Sequence, residues 1–410
     1  MEKIIFFIFL YLPFALNAHP KCDLPARTPT KIVTMPVEHI VVIMQENHSF
    51  DNYFGKLNAP EFYGKAIDGL KPEMKSKSLD SKAVHPYHET DFCVHDAAHD
   101  WNAEHIGWNF GQNDNFIEMN GETQAMGYYT DKELPYYYAL ANQFAVADRY
   151  FSPSLAPTYP NRFFLYTGTA FGHIKNDSAP QEKKYSQKTI FDELNEKNIS
   201  WKYYSEEKGA YIKHFKSLWE NSKAKMVPMT EYAADLKLGT LPQVVFLESR
   251  EDQGDEHPPA DIRIGQEWVS GQIQLLTDST AWKTSALFFT YDENGGFFDH
   301  VPPPEACIPD QIKPARSSKD VPGKFDRYGL RVPFVAISPF AKHHYVSHKV
   351  YDHTSILKFI EQKFGLPALS ARDANADGLL DMFDFKHPEF KVATLPKTSR
   401  SPASASCKKK

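Results

Sequence analysis

Apolar residues in this chain gather into short runs of strand length, separated by amphipathic stretches of helix length. His39-Ile40-Val41-Val42-Ile43-Met44 comes first, then Val244-Val245-Phe246-Leu247, Ala286-Leu287-Phe288-Phe289-Thr290-Tyr291 and Val332-Pro333-Phe334-Val335-Ala336-Ile337. Runs without polar alternation, rich in β-branched and aromatic residues, predict strands buried on both faces. Helical patterning covers residues 132–144, 189–196, 265–277 and 354–364. Strands alternating with helices predict an α/β protein with a mostly parallel sheet. Residues 19–36, broken by Pro20, Pro25, Pro29 and Pro36, read as an irregular lead-in. Residues 55–98 and 205–240 show no period and read as loops or insertions. The Ser, Pro and Lys of residues 394–410 read as a disordered tail. One domain over residues 37–393 is the expected organisation.

The amino terminus sets the compartment. Met1-Glu2-Lys3 precedes an apolar run from Ile4 to Phe14, and Leu16-Asn17-Ala18 offers a cleavage site before His19. A spanning helix needs roughly 20 apolar residues, and this run falls well short. Residues 1–18 therefore read as a signal peptide, and the mature chain as exported, periplasmic or secreted. Net charge is −6, which provides no polycationic footprint for nucleic acid. Cys22, Cys93, Cys307 and Cys407 permit three disulfide pairings, and spacing does not choose among them. The position of Cys407 in the tail weighs against a structural bridge there.

Ligands of open α/β sheets gather at the carboxyl ends of the strands, so polar clusters just after the apolar runs are the first candidates for chemistry. Gln45-Glu46-Asn47-His48-Ser49-Phe50-Asp51 follows the first run. Glu46 and Asn47 are hard oxygen donors suited to a divalent cation, although a helix cap or Asx turn would also use them. Asp292-Glu293-Asn294-Gly295-Gly296 follows the third run. Its adjacent carboxylates repel, and a cation between them is one way to keep both ionised. In Ser154-Leu155-Ala156-Pro157-Thr158-Tyr159-Pro160-Asn161-Arg162, Thr158 opens a predicted helix. A hydroxyl at a helix N-terminus meets phosphate easily and serves as a nucleophile once activated, or simply as an N-cap.

Together, four motifs resemble one family. Glu46 to Gly55 (ENHSFDNYFG), Ala156 to Arg162 (APTYPNR), Asp292 to Val301 (DENGGFFDHV) and Tyr328 to Pro339 (YGLRVPFVAISP) are similar to the phosphoesterase family of bacterial phosphatidylcholine-hydrolysing phospholipases C, plant non-specific phospholipases C and acid phosphatase A. The resemblance runs from about residue 37 to 387. It implies an alkaline-phosphatase-like α/β/α sandwich with a mostly parallel central sheet. It also implies one divalent metal ion, zinc or calcium among the possibilities, held by Glu46, Asn47, Asp292, Glu293 and the Thr158 hydroxyl. Thr158 would be the nucleophile, passing through a phosphothreonine intermediate. The general acid is sought first in His257, then in His99 and His300. His353 opens a helix and reads as structural, as does Asp51, and Arg162 faces either phosphate or a carboxylate.

The function so implied is phospholipase C action on glycerophospholipids, giving diacylglycerol and a phosphorylated headgroup, with peripheral membrane contact compatible with it. An acid phosphatase acting on phosphomonoesters is the alternative, and a catalytically dead secreted binding protein a third reading. Asp373-Ala374-Asn375-Ala376-Asp377-Gly378 has part of the spacing of a calcium loop, but Asp384 stands where the bidentate Glu belongs. Oligomeric state is not legible.

Overall fold

The computed structural model describes residues 20–398 and Cys407, apart from residues 79, 81, 122, 178–183, 208–209 and 251–253. The signal-peptide reading of residues 1–18 and most of the tail lie outside the described residues.

An eight-stranded sheet carries the fold, built from β1 (His39–Gln45), β2 (Ala145–Ala147), β3 (Trp201–Ser205), β4 (Met226–Pro228), β5 (Val244–Glu248), β6 (Ser285–Tyr291), β7 (Phe334–Ile337) and β8 (Tyr345–Ser347). Their order is β8-β2-β7-β6-β1-β5-β3-β4, and β7 alone runs antiparallel to its neighbours. The predicted mostly parallel sheet is therefore what forms. Its centre, β6-β1-β5, comprises three of the four apolar runs. Every residue of β5 and β6 is buried, as expected of strands covered on both faces.

Two consecutive phenylalanines show the layering. Phe288 and Phe289 on β6 point to opposite faces, since side chains alternate along a strand. Phe289 lies 4.9 Å from the Tyr137 ring of the Pro135–Gln143 helix. Phe288 lies 5.0 Å from Phe359 of the His353–Phe364 helix. The Thr158–Thr167 helix packs on that second helix, and the Ile262–Thr277 helix packs beside Pro135–Gln143. The molecule is an α/β/α sandwich.

Two expectations need correction. Residues 205–240 are not simply loop: they hold β4 and the helices Lys216–Asn221 and Thr230–Leu238. These elements are too short for a period to emerge, and tertiary packing rather than pattern stabilises them. β2, β3 and β8 went unread for the same reason. Cysteine pairing is the second correction. Cys22 joins Cys307, and Cys93 joins Cys407, with Cα separations of 5.5 and 5.6 Å. The first bridge fastens the lead-in and the second fastens the tail. Among the described residues no helix is long and apolar enough to cross a membrane.

Candidate active site

Register brings the acidic residues together. Gln45 on β1 stands opposite Tyr291 on β6, and Ile43 stands opposite Leu247 on β5. Glu46, Asp292 and Glu248 thus emerge side by side at the carboxyl ends of three adjacent parallel strands. All three are buried, as is Glu293. Into them reaches Arg162, wholly buried on the Thr158–Thr167 helix. Its Nε donates to Asp292 Oδ2 at 3.2 Å, Nη1 to both Glu248 oxygens at 2.9 and 2.8 Å, and Nη2 to Glu46 Oε1 at 3.1 Å. The Tyr211 ring stacks on the guanidinium at 4.1 Å, and its hydroxyl donates to Glu46.

One cation does not neutralise this cluster. Burial pushes Asp292 well above the ordinary carboxylate range, and Glu46 repels it further. Glu293 is also raised by burial, against the attraction of His99. Glu248 is pushed up to about 7 by burial, with Arg162 opposing. Burial likewise acts to raise Glu46, but Arg162 and His257 outweigh it and hold the group below its usual value.

Asn47 and Glu293 meet directly. Asn47 Nδ2 donates to Glu293 Oε1 at 2.9 Å. The chain closes over this pair because Gly295, at φ +62°, lies where a Cβ would come within 2.2 Å of the Asn47 carbonyl oxygen. Only glycine fits there. Asn47 Oδ1 is buried without a hydrogen-bond partner, an arrangement that is costly unless something absent from the protein chain satisfies it. An unpaired amide oxygen beside repelling carboxylates is a hard donor set, and the residues Glu46, Asn47, Asp292 and Glu293 fit a divalent cation.

Thr158 lies at the front of the cluster. Pro157 occupies the N-cap position, so the Thr158 side chain follows the cap rather than forming it. Thr158 lines a cavity of about 300 Å³ together with Glu46, Tyr211, Glu248, His257 and Asp96. Four residues further on, Arg162 shares its helix face, which explains how one helix serves both cavity and cluster. His257 binds the Pro258 carbonyl through Nδ1 at 2.7 Å. A carbonyl only accepts, so Nδ1 carries a proton and Nε2 is the nitrogen left for chemistry. Burial would lower its pKa, but Glu46 and Asp96 raise it to about 9. His99 stands 5.3 Å from the His257 ring, with Nε2 3.8 Å from Glu293 Oε1 and Nδ1 bound to the Ala97 carbonyl.

His300 does not join this group. Its Nδ1 contacts Asp51 at 2.6 Å and its Nε2 contacts Asp68 at 3.0 Å, in a network closed by Arg331 and Asp299. Both its nitrogens contact carboxylates and it is not among the residues lining the Thr158 cavity, so the structure sets this candidate general acid apart from Thr158. His353, buried, contacts the Asp292 carbonyl at 2.8 Å and the Tyr150 hydroxyl at 3.2 Å. Asp373 caps the Ala371–Ala374 helix, accepting from Leu369, Ser370 and the Ser370 hydroxyl. Those bonds account for its carboxylate without calcium.

Sequence reasoning missed Glu248, Tyr211 and Asp96. Glu248 had a usable signal, since it directly follows the apolar run Val244–Leu247, just as Glu46 and Asp292 follow theirs within two residues. Tyr211 and Asp96 lie in stretches without periodicity and carried none.

The model of the Phosphoesterase family matches residues 37–367. Among curated proteins, the chain is 30% identical to Phospholipase C A of Mycobacterium tuberculosis (strain ATCC 25618 / H37Rv), covering 86% of this chain and 78% of that one. It is 34% identical to Non-specific phospholipase C1 of Arabidopsis thaliana, over 83% and 69% respectively. Among solved structures, it is similar to a protein in the alkaline phosphatase superfamily from Vibrio parahaemolyticus, with TM-score 0.41 at 8% identity, covering 88% of this chain and 73% of that one. With a family match spanning most of its length and relatives of this similarity, the chain belongs to the Phosphoesterase family and is a hydrolase acting on phosphoric ester bonds.

Proposed function

We propose that this protein is an exported, metal-dependent phospholipase C that cleaves glycerophospholipids to diacylglycerol and a phosphorylated headgroup. The observation that carries the reading is the position of Thr158, which follows the helix cap and lines one cavity with Glu46 and His257. The names of the relatives supply the substrate class.

In this mechanism Thr158 gives up its hydroxyl proton to solvent, Oγ attacks phosphorus, and the bond from phosphorus to the glycerol oxygen breaks. The headgroup phosphate remains on Thr158 as a phosphothreonine diester. Water then attacks phosphorus, yielding a proton to the now neutral His257, and the phosphorylated headgroup is released as Thr158 Oγ regains a proton from solvent. The protonated His257 Nε2 donates to the departing glycerol oxygen, and its Pro258 contact fixes which nitrogen does so. His99 stands beside it, its ring 5.3 Å away and its Nε2 3.8 Å from Glu293 Oε1. Glu46, Asn47, Asp292, Glu293 and the Thr158 hydroxyl would hold the divalent ion, which supplies positive charge that favours the alkoxide and offsets charge on the phosphoryl oxygens. Arg162, saturated by carboxylates, positions Glu46 and Asp292 rather than substrate.

Export is part of the reading. The apolar run within residues 1–18 and the Cys22–Cys307 and Cys93–Cys407 bridges both fit an oxidising compartment.

Purified protein assayed on phosphatidylcholine vesicles and on p-nitrophenyl phosphate, with and without chelator, tests the proposal. Chelator-sensitive diacylglycerol release is expected. Turnover of the monoester alone would replace this reading with a phosphomonoesterase. Silence on both substrates would leave a binding protein.

A further inference from the structure

Some distance along the chain from the catalytic cluster, the Trp101–Trp108 helix ends in a turn whose base is fixed, Asn113 Nδ2 donating to the Asp299 carbonyl at 2.9 Å, and whose tip is Phe110. Asn109, Phe110, Gly111 and Asn113 have φ of +42°, +52°, +92° and +48°. Asparagine and glycine tolerate that region, whereas a phenylalanine there is a strained residue. The strain secures little packing: Phe110 lies 5.8 Å from the Trp108 ring yet is 88% exposed, the most exposed large hydrophobic side chain among the described residues. Ile106, on the same short segment, is 39% exposed. A bulky aromatic held in a costly conformation and aimed at solvent implies a partner outside the chain.

The surroundings identify the partner. Phe110 and Trp108 line a groove of about 410 Å³ with Arg316, Lys324 and Arg327, against the one carboxylate Asp326. The Arg327 guanidinium stacks on the Trp108 ring at 4.8 Å. His105, at the groove's base, is lowered to about 4 by burial and adds no charge. Arg327 also faces Glu305 at 4.0 Å, and even so the basic side chains of this groove outnumber the carboxylates that line it, in a chain whose net charge is −6. An exposed phenylalanine, a tryptophan at its foot and a ring of basic side chains match the chemistry of a bilayer interface. The aromatics enter the headgroup boundary and the cations meet anionic lipid.

The groove is tied to the catalytic cavity through the chain. Leu155, which lines it, precedes Thr158 by three residues. The loop carrying Arg316 is bonded to the segment bordering the cavity: Ala315 N donates to the Gly172 carbonyl at 2.8 Å, and Lys175 pairs with Asp320 at 3.4 Å. Asn176, next to Lys175, lines the cavity itself.

We infer that the Phe110 turn and the basic groove of Arg316, Lys324 and Arg327 form the surface by which this protein docks on anionic lipid bilayers. The choice of lipid as occupant rests on the phospholipase reading. The test uses the full exported chain and its variants Phe110→Ser and Arg316→Gln/Lys324→Gln, with vesicles of equal parts phosphatidylcholine and phosphatidylglycerol. Co-sedimentation of the wild type is expected. It should weaken about fivefold for each charge removed, fall away with added salt, and be lost in Phe110→Ser. Turnover of soluble p-nitrophenyl phosphorylcholine should stay unchanged in both variants, which shows that each is folded with its active centre intact. Equal sedimentation of wild type and both variants would overturn the inference. So would a concentration-dependent dimer that Phe110→Ser abolishes, since the face would then cover a second copy. Lipid binding without phospholipid hydrolysis would instead count against the proposed activity and leave the docking surface standing.

Discussion

The Arg162 guanidinium grips both oxygens of Glu248 from a single nitrogen, at 2.9 and 2.8 Å, in a place solvent does not reach. The same group holds Glu46 and Asp292, so the ends of three strands are tied by one side chain of a helix. Strand order and helix position make that possible, and the grip in turn aligns the donors facing the Thr158 cavity.

Removing Arg162 should therefore damage the fold as well as the site. Arg162→Ala leaves buried carboxylates facing one another, a change that typically costs about 3–5 kcal/mol. Arg162→Lys keeps the charge but loses the fork, and should recover only part of that loss. Urea denaturation measures both. A loss below about 1 kcal/mol in Arg162→Ala would show that the cluster is stabilised some other way.

Thr158 should separate chemistry from stability. Because Pro157 holds the cap position, Thr158→Ala should cost no more than about 1 kcal/mol while ester turnover falls to background. Thr158→Ser, which keeps a hydroxyl, should retain measurable activity. If Thr158→Ala still turns over, the nucleophile is a different group, such as water.

Metal content should follow the oxygen donors. Asp292→Asn and Asn47→Ala should each lower the metal bound per chain, read by elemental analysis after dialysis. Chelation of the wild type should abolish turnover, and divalent metal should restore it. Full metal content in both variants would contradict the assigned ligands.

His300 predicts a pH-dependent stability. Burial would lower its pKa, but Asp51 and Asp68 raise it to about 9. Protonated His300 is thus favoured by the folded state. The stabilisation is complete below the ordinary histidine value of about 6.5 and fades as pH climbs through about 9. It amounts to roughly 3 kcal/mol at most. The gap in unfolding free energy between wild type and His300→Asn should accordingly be widest near pH 6 and close at alkaline pH. A gap that does not change with pH would show that His300 acts through packing alone.

Much of the central sheet could be read from the chain because β1, β5 and β6 are apolar on both faces, and nothing but burial explains such runs. The donors Glu46, Asn47, Asp292 and Glu293 were legible because they follow two of those runs directly. Glu248 follows the third and obeys the same rule, but as a single carboxylate without a motif it gave no second cue. Short elements were hidden. β2 has three residues, fewer than a pattern needs, and depends on pairing with β7 and β8 for its existence.

Sequence by itself determined the layered α/β class, the family and the residue types of the site, since each depends on local runs and motifs that survive without contacts. Tertiary structure decided what lies beside what. Register placed Glu248 next to Glu46 and gave Arg162 its three carboxylates. Chain folding carried His300 away to Asp51 and Asp68, brought His257 and His99 together, and chose the cysteine partners. Those outcomes follow from packing between segments hundreds of residues apart, whose energies depend on distances that a linear chain does not contain.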